Sequence, residues 1–242
     1  MSREILIKHR MVWNKKASLR AVYHDFYRRL TARLVPGPVL EVGGGSGNFK
    51  EFYPAAYSTD IVETPWIDQV CDAQKLPFAD GFFSNIIGID ILHHIEKPKL
   101  FFLEAQRVLR SGGRLILLEP GVTPVSYIFY KLFHAEPMDF SADPFSDDLP
   151  QSDKKPFDSN QAIPELVFGK FFNRFRAEVP GFELLQKKYF ALWAYPLSGG
   201  FQKWSLLPSF LSEFVITIEK KIESVLGPLL GFKILISIEK SI

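Results

Sequence analysis

At 242 residues, 47% of them hydrophobic and 23% charged, the chain can fill the core of one large α/β domain. A single cysteine, Cys71, excludes an intrachain disulfide and a cysteine-built zinc cluster and fits a reducing, cytoplasmic setting. No apolar run approaches the ~20 residues of a membrane span, and Lys8-His9-Arg10 interrupt Ile5-Leu6-Ile7 well short of a signal-peptide core.

Charge is unevenly placed within the net +2. Residues 1–35 hold nine Lys/Arg against Glu4 and Asp25, a net +7, and the remainder is net −5. Such a basic arm suits a phosphate, an anionic lipid or a nucleic acid, or is an ordinary solvated helix face. Within it, Leu19, Val22, Tyr23, Phe26, Leu30 and Leu34 recur at helical spacing, which predicts an amphipathic helix from about Lys16 to Leu34, stopped by Pro36-Gly37-Pro38. Val39–Val42 then reads as a buried strand. It turns through Gly43, Gly44, Gly45, Ser46 and Gly47 into a helix reaching about Phe52. Glycines allow backbone to approach a ligand closely, and a helix N-terminus offers unsatisfied amides to it. A dinucleotide fingerprint wants a third glycine where this chain has Asn48, which disfavours a nicotinamide cofactor. Tyr57–Asp60 reads as the second strand. Its terminal Asp60 lies near the distance at which a βαβ unit places an acid over a ribose, although Asp is also a common helix cap.

Glu41 with Gly43, Gly45 and Gly47 forms an E-x-G-x-G-x-G arrangement, which resembles the first motif of class I S-adenosylmethionine-dependent methyltransferases. The run Asp72-Ala73-Gln74-Lys75-Leu76-Pro77-Phe78-Ala79-Asp80-Gly81-Phe82-Phe83 is similar to the adenine-binding segment of their type 11 small-molecule members. That family usually has Asp where this chain has Ser84. The resemblance implies a Rossmann-like, doubly wound, seven-stranded sheet, mostly parallel with an antiparallel last strand. It implies S-adenosylmethionine as cofactor, cradled by Gly43, Gly44, Gly45 and Gly47. Glu41 would orient the loop and the methionine end, Asp60 would hold the ribose, and Asp72 and the Ala73 amide would hold the adenine. Ile61 and Ile89 would flank the cofactor, and Tyr23, His24 and Tyr27 would close over it.

Asn85–Ile89 reads as the fourth strand, followed by Asp90-Ile91-Leu92-His93-His94, a helix from about Leu100 to Leu109 with Ser111-Gly112-Gly113 as its C-cap, and a strand at Arg114–Glu119. Val125–Phe133 suggests a short aromatic helix. Residues 135–160 carry seven acids, two lysines and four prolines, the composition of a loop or lid. A helix is expected from Pro164 to about Glu178, a sixth strand after Pro180-Gly181, and a seventh at Phe232–Glu239. Between these two strands, Leu211, Phe214, Val215, Ile218, Ile222, Val225 and Leu226 make an apolar helical stripe. It reads as a helix packed on the domain, or as a cover or interfacial helix for a lipid-like acceptor. The whole is one domain, residues 1–242: basic arm 1–35, cofactor core 36–120, and lid, insert and last strands 121–242.

Methyl transfer from a sulfonium needs an aligned acceptor, water kept out, and a base where the acceptor must lose a proton. His93, His94 and Asp90, just past the fourth strand, are the candidate catalytic groups; no metal ligands are assigned. The acceptor is expected to be a small molecule, lipid-like or glycan-linked, with oxygen favoured over nitrogen or carbon. Nucleic acid is not expected, peripheral membrane contact is allowed, and no heptad run announces an oligomer. Two other classes stay open: a non-catalytic binding or scaffold protein on the same fold, and a nicotinamide-binding Rossmann protein.

Overall fold

Val39–Val42 (β1) is buried along its whole length because it runs parallel between Tyr57–Asp60 (β2) and Phe83–Ile89 (β4). The structure is a computed structural model and describes residues 2–133, 136–146 and 155–241. With Gln69–Val70 (β3), Leu109–Pro120 (β5), Phe182–Phe190 (β6) and Lys233–Lys240 (β7), the strands form one seven-stranded sheet in the order β3-β2-β1-β4-β5-β7-β6. The first five are parallel, and β7 is antiparallel to both β5 and β6. This is the expected sheet. Its strand order reverses between β1 and β4, where such a fold opens a crevice beyond the carboxyl ends.

Helices are α1 (Ser2–Lys15), α2 (Ala17–Thr31), α3 (Asn48–Phe52), α4 (Pro98–Val108), α5 (Pro124–Phe133), α6 (Ile163–Glu165), α7 (Phe172–Glu178), α8 (Ala194–Ser198) and α9 (Ser212–Leu230). Alternating strand residues feed two cores. Ile86, Leu115 and Leu117 pack with Phe101, Phe102 and Phe175 on one face of the sheet. Ile87, Ile116 and Leu235 pack with Leu19, Phe26 and Leu30 of α2 on the other.

Several sequence expectations are corrected. The N-terminal segment holds two helices, since α1 precedes the expected one. Its basic charge is largely internal: Lys16 Nζ donates to the Gly200 and Gln202 carbonyls, Arg29 forms a bidentate pair with Glu223, and Arg33 binds Gln186. Tyr23 and Tyr27 are buried in an aromatic cluster with Trp13 and Phe49, and His24 packs on the Trp13 ring. Ser111-Gly112-Gly113 does not cap α4. Leu109 already has extended backbone, and the three residues lie within β5, at the register shift between Phe83/Leu109 and Asn85/Arg114. The helix expected from Pro164 is broken by a π turn over Leu166–Lys170.

The helix expected between the last two strands is α9, which packs on β6 and α2, the first of its two readings. Its buried residues are Ser212, Ile216, Glu219, Glu223 and Gly227, so the polar side faces inward. Glu219 accepts the Trp193 and Ala194 amides at the start of α8, and Glu223 accepts from Arg29 and Lys188. The predicted stripe is therefore split: Leu211, Phe214, Ile218 and Val225 are exposed, while Val215, Ile222 and Leu226 are half-buried. Among the described residues no helix is long and apolar enough to cross a membrane. Of the acidic segment, residues 136–146 and 155–160 run without helix or strand. Asp147, Asp148 and Asp153 of the expected lid lie outside the described residues.

Candidate active site

The glycine loop leaves β1 and is tied to the end of β2. Gly44 N–H donates to the Thr59 carbonyl, and Gly45 N–H to Asp60 Oδ2, each at 2.8 Å. Asp60 Oδ1 takes the Val62 amide at 2.8 Å. Burial lifts the Asp60 pKa, with these amides pulling the other way. Each carboxylate oxygen has a second lone pair to offer a hydroxyl. Gly47 has φ +72°, and a Cβ there would lie 2.3 Å from Trp66 Cβ, so glycine is required twice over. Beneath the loop Glu41 is buried and accepts from Ser58 Oγ at 2.5 Å. Burial pushes its pKa up to about 7, against the Ser58 hydrogen bond. Above the loop lies α1: Leu6 approaches Gly45, and Arg10 donates to Asn48 Oδ1 and pairs with Glu51.

A cleft of about 190 Å³ opens at this point. Gly43, Asp60, Ile61, Asp72, Ala73 and His94 line it. Gly44, Gly45, Gly47, Glu41 and Ile89, also expected at the cofactor, are not among the residues that line it. The Asp72 carboxylate accepts from the Gln74 main chain at 2.8 Å and from the Gln74 side chain. Lys155 and Pro156 of the acidic segment complete the rim. Sequence reasoning did not assign them, since their contribution depends on how a long loop folds back.

Beyond the cleft, Leu92–His94 form a short 3-10 turn. His93 is buried, and its Nδ1–H donates to Glu119 Oε2 at 2.6 Å. Glu119, fully buried at the end of β5, accepts the Ile91 and Leu92 amides on its other oxygen. Burial opposes a charge on His93, but the Glu119 carboxylate outweighs it and raises the His93 pKa. His94 goes the opposite way: burial, then the neighbouring His93, lower it to about 4, so it is neutral at physiological pH. His93 Nε2 lies 3.6 Å from Glu136 Oε2. Sequence reasoning missed Glu119 and Glu136. For Glu119 the available sign was an acid closing an otherwise apolar strand, the same feature that marks Glu41.

Asp90 is not a free base. At φ +52° it pairs through Oδ1 with Lys233 Nζ at 2.5 Å, and Lys233 is buried with its ammonium 4.8 Å from the Tyr195 ring centre. Burial opposes that charge, and Asp90 and Tyr195 more than offset it. A second cavity, of about 360 Å³, adjoins the cleft. It is lined by His93, Lys97, Asp143, Ser146 and Asn160 among others, and shares Ile95 and Glu96 with the cleft.

The sheet order, the antiparallel β7 and the glycine loop at the switch point define the Rossmann-like fold of class I methyltransferases. Residues 40–117 match the family model described as "Methyltransferase domain". A relative from Desulfotalea psychrophila, "Ubiquinone/menaquinone biosynthesis C-methyltransferase UbiE", is 31% identical over 117 residues, covering 40% of this chain and 48% of the relative. The chain thus spans about half the length of that relative. Among solved structures, an Archaeoglobus fulgidus SAM-dependent methyltransferase matches with TM-score 0.54 at 18% identity, covering 91% of this chain and 94% of the other. A Thermotoga maritima SAM-dependent methyltransferase, titled a possible histamine N-methyltransferase, matches with TM-score 0.52 at 16% identity, covering 93% and 91%. At these identities the structural matches concern the fold.

Proposed function

We propose that the chain is an S-adenosylmethionine-dependent methyltransferase whose acceptor is a small amphipathic molecule with a polar, hydroxyl-bearing head and an apolar body. The observation that carries the reading is the meeting of Gly43, Asp60, Asp72, Ala73 and His94 around one cleft at the switch point. The glycine loop would hold the methionine end over Glu41, Asp60 the ribose hydroxyls, and Asp72 with the Ala73 amide the adenine. Ile61 and Ile89 serve as apolar flanks. When bound, the cofactor supplies an electrophilic methyl carbon. The chain's own task is to hold the acceptor in line and keep water out, which is worth several kcal/mol of barrier.

The adjoining polar cavity suits the acceptor's head group, next to His93 and His94, the groups able to take up a proton or a cation there. Asp90 acts as the partner of Lys233 and so positions β4 against β7. The outward apolar ridge of α9 supports a lipid-like body. Oxygen is the favoured methyl acceptor. A second reading, methylation of a ring carbon made nucleophilic by an ionised hydroxyl, is favoured by the printed name of the Desulfotalea relative.

Calorimetry with S-adenosylhomocysteine tests the cofactor half: binding is expected, abolished by Asp60→Ala, and absence of binding at millimolar ligand by a folded protein would sink the reading. Labelled cofactor incubated with lipid and aqueous metabolite fractions tests the acceptor half. Label is expected in the lipid fraction, and the product's methyl resonance separates oxygen from carbon.

A further inference from the structure

His93 and His94 are consecutive, with ring centres 4.2 Å apart and planes tilted by 41°. Each ring is gripped on one side. His93 is committed through Nδ1 to Glu119, itself fixed by two main-chain amides, and Nε2 is directed toward Glu136. His94 has the Asp158 main chain as a hydrogen-bond partner, and its Nδ1 is buried with no hydrogen-bond partner among the described residues. One donor atom from each of His93, His94 and Glu136 lies within 4.8 Å of the others. We propose that these three side chains form a binding site for a divalent transition-metal ion, ligated by His93 Nε2, His94 Nδ1 and the Glu136 carboxylate.

The donor set decides the kind of ion. Two imidazoles and one carboxylate suit zinc, iron, cobalt or manganese, whereas magnesium and calcium prefer oxygen. Zinc bonds to nitrogen and oxygen of about 2.0–2.1 Å place tetrahedral ligand atoms about 3.4 Å apart. The His93–Glu136 separation of 3.6 Å already meets that spacing. The Glu119–His93 contact is the carboxylate–imidazole pair that fixes the tautomer and orientation of a metal-bound histidine. A second grouping, Asp90 with His93 and Glu119, is geometrically close. It is the poorer site, because the Lys233 ammonium sits on Asp90 and Glu119 is engaged by main-chain amides.

Three protein ligands leave coordination positions open, the pattern of a catalytic rather than a structural site. His94 also lines the cofactor cleft. On the methyltransferase reading above, on which this role alone rests, the cation draws charge from the acceptor hydroxyl, whose proton passes to water. The oxygen then bonds to the methyl carbon while the carbon–sulfur electron pair returns to sulfur.

The test uses the full chain, stripped with a chelator and titrated with Co²⁺ by visible absorption and with Zn²⁺ by calorimetry. One equivalent is expected to bind, with the absorption bands of a nitrogen- and oxygen-ligated cobalt ion. His94→Ala and Glu136→Gln should each weaken binding at least tenfold. Glu119→Gln, at a residue that holds His93 without ligating the ion, should weaken it about 10–100-fold. Thermal unfolding without metal checks that each variant folds, and Glu136→Gln decides if His94→Ala does not. Absence of submillimolar binding by the wild type overturns the proposal, as does equal binding by wild type and folded variants. S-adenosylhomocysteine calorimetry on the same samples separates the two claims. Metal uptake without nucleoside binding sinks the methyltransferase reading alone, and the reverse sinks the metal site alone.

Discussion

Glu41 is a buried carboxyl with a pKa near 7, so in the free protein it is partly protonated at neutral pH. A cofactor whose methionine end carries a sulfonium and an ammonium favours the ionised form and draws that pKa down. Binding near pH 7 should therefore release a fraction of a proton, and affinity should rise from about pH 6 to pH 8 and then level off. Calorimetry in buffers of different ionisation enthalpy reads the released proton directly, and Glu41→Gln should release none. Asp90 makes a different prediction. Asp90→Asn keeps a residue that tolerates positive φ but leaves the Lys233 ammonium buried and unpaired, and should cost about 3–5 kcal/mol in urea unfolding. Adding Lys233→Met should recover most of that loss. Unchanged stability with lost turnover would instead make Asp90 a base.

At the scale of elements, the glycine loop was legible because each glycine has a separate cause. Gly47→Ala combines left-handed backbone strain of about 1–2 kcal/mol with the collision at Trp66, and should abolish S-adenosylhomocysteine binding. Gly112→Ala carries the same positive φ, but its Cβ would meet nothing within 4 Å. It should lower the unfolding midpoint by the strain alone and leave ligand affinity unchanged, so the pair separates loop geometry from general glycine strain. The strands at 39–42, 57–60, 85–89 and 114–119 were equally legible as short β-rich runs, whereas the two-residue strand Gln69–Val70 and the Leu109–Gly113 start of β5 were not, being too short or too glycine-rich to show a pattern. Long-range polar pairing was not. Helical periodicity finds a stripe on α9 but cannot say which side is inward. That choice is made by Glu219 capping α8 and by Glu223 meeting Arg29 and Lys188, partners 25 to 194 residues away. Glu136 was hidden for the same reason: its relation to His93 exists only after α5 and the following loop fold back.

For the whole molecule, the outer side of α9 carries an apolar surface, Phe214 and Val225 included, that nothing among the described residues covers. On α5, packed beside α9, Ile128, Leu132 and Phe133 are exposed, the last at 73%. On the approach to α9, Trp204, Leu206 and Phe210 are exposed as well. Lys131, Lys203 and Lys221 are exposed among these residues, an arrangement suited to an anionic bilayer surface. The acceptor reading then predicts cosedimentation of the full chain with anionic phospholipid vesicles, weakened by salt. Burying one Leu or Phe side chain is worth about 1.5–3 kcal/mol. Phe133→Ser and Phe214→Ser should each reduce vesicle binding about tenfold or more. Neither residue touches the cofactor cleft, so S-adenosylhomocysteine affinity should be unchanged. Sedimentation equilibrium supplies the counter-outcome: if the wild type is a tight dimer that Phe214→Ser dissociates, and vesicles bind neither form, the surface belongs to a second copy and the lipid-like acceptor loses its main support.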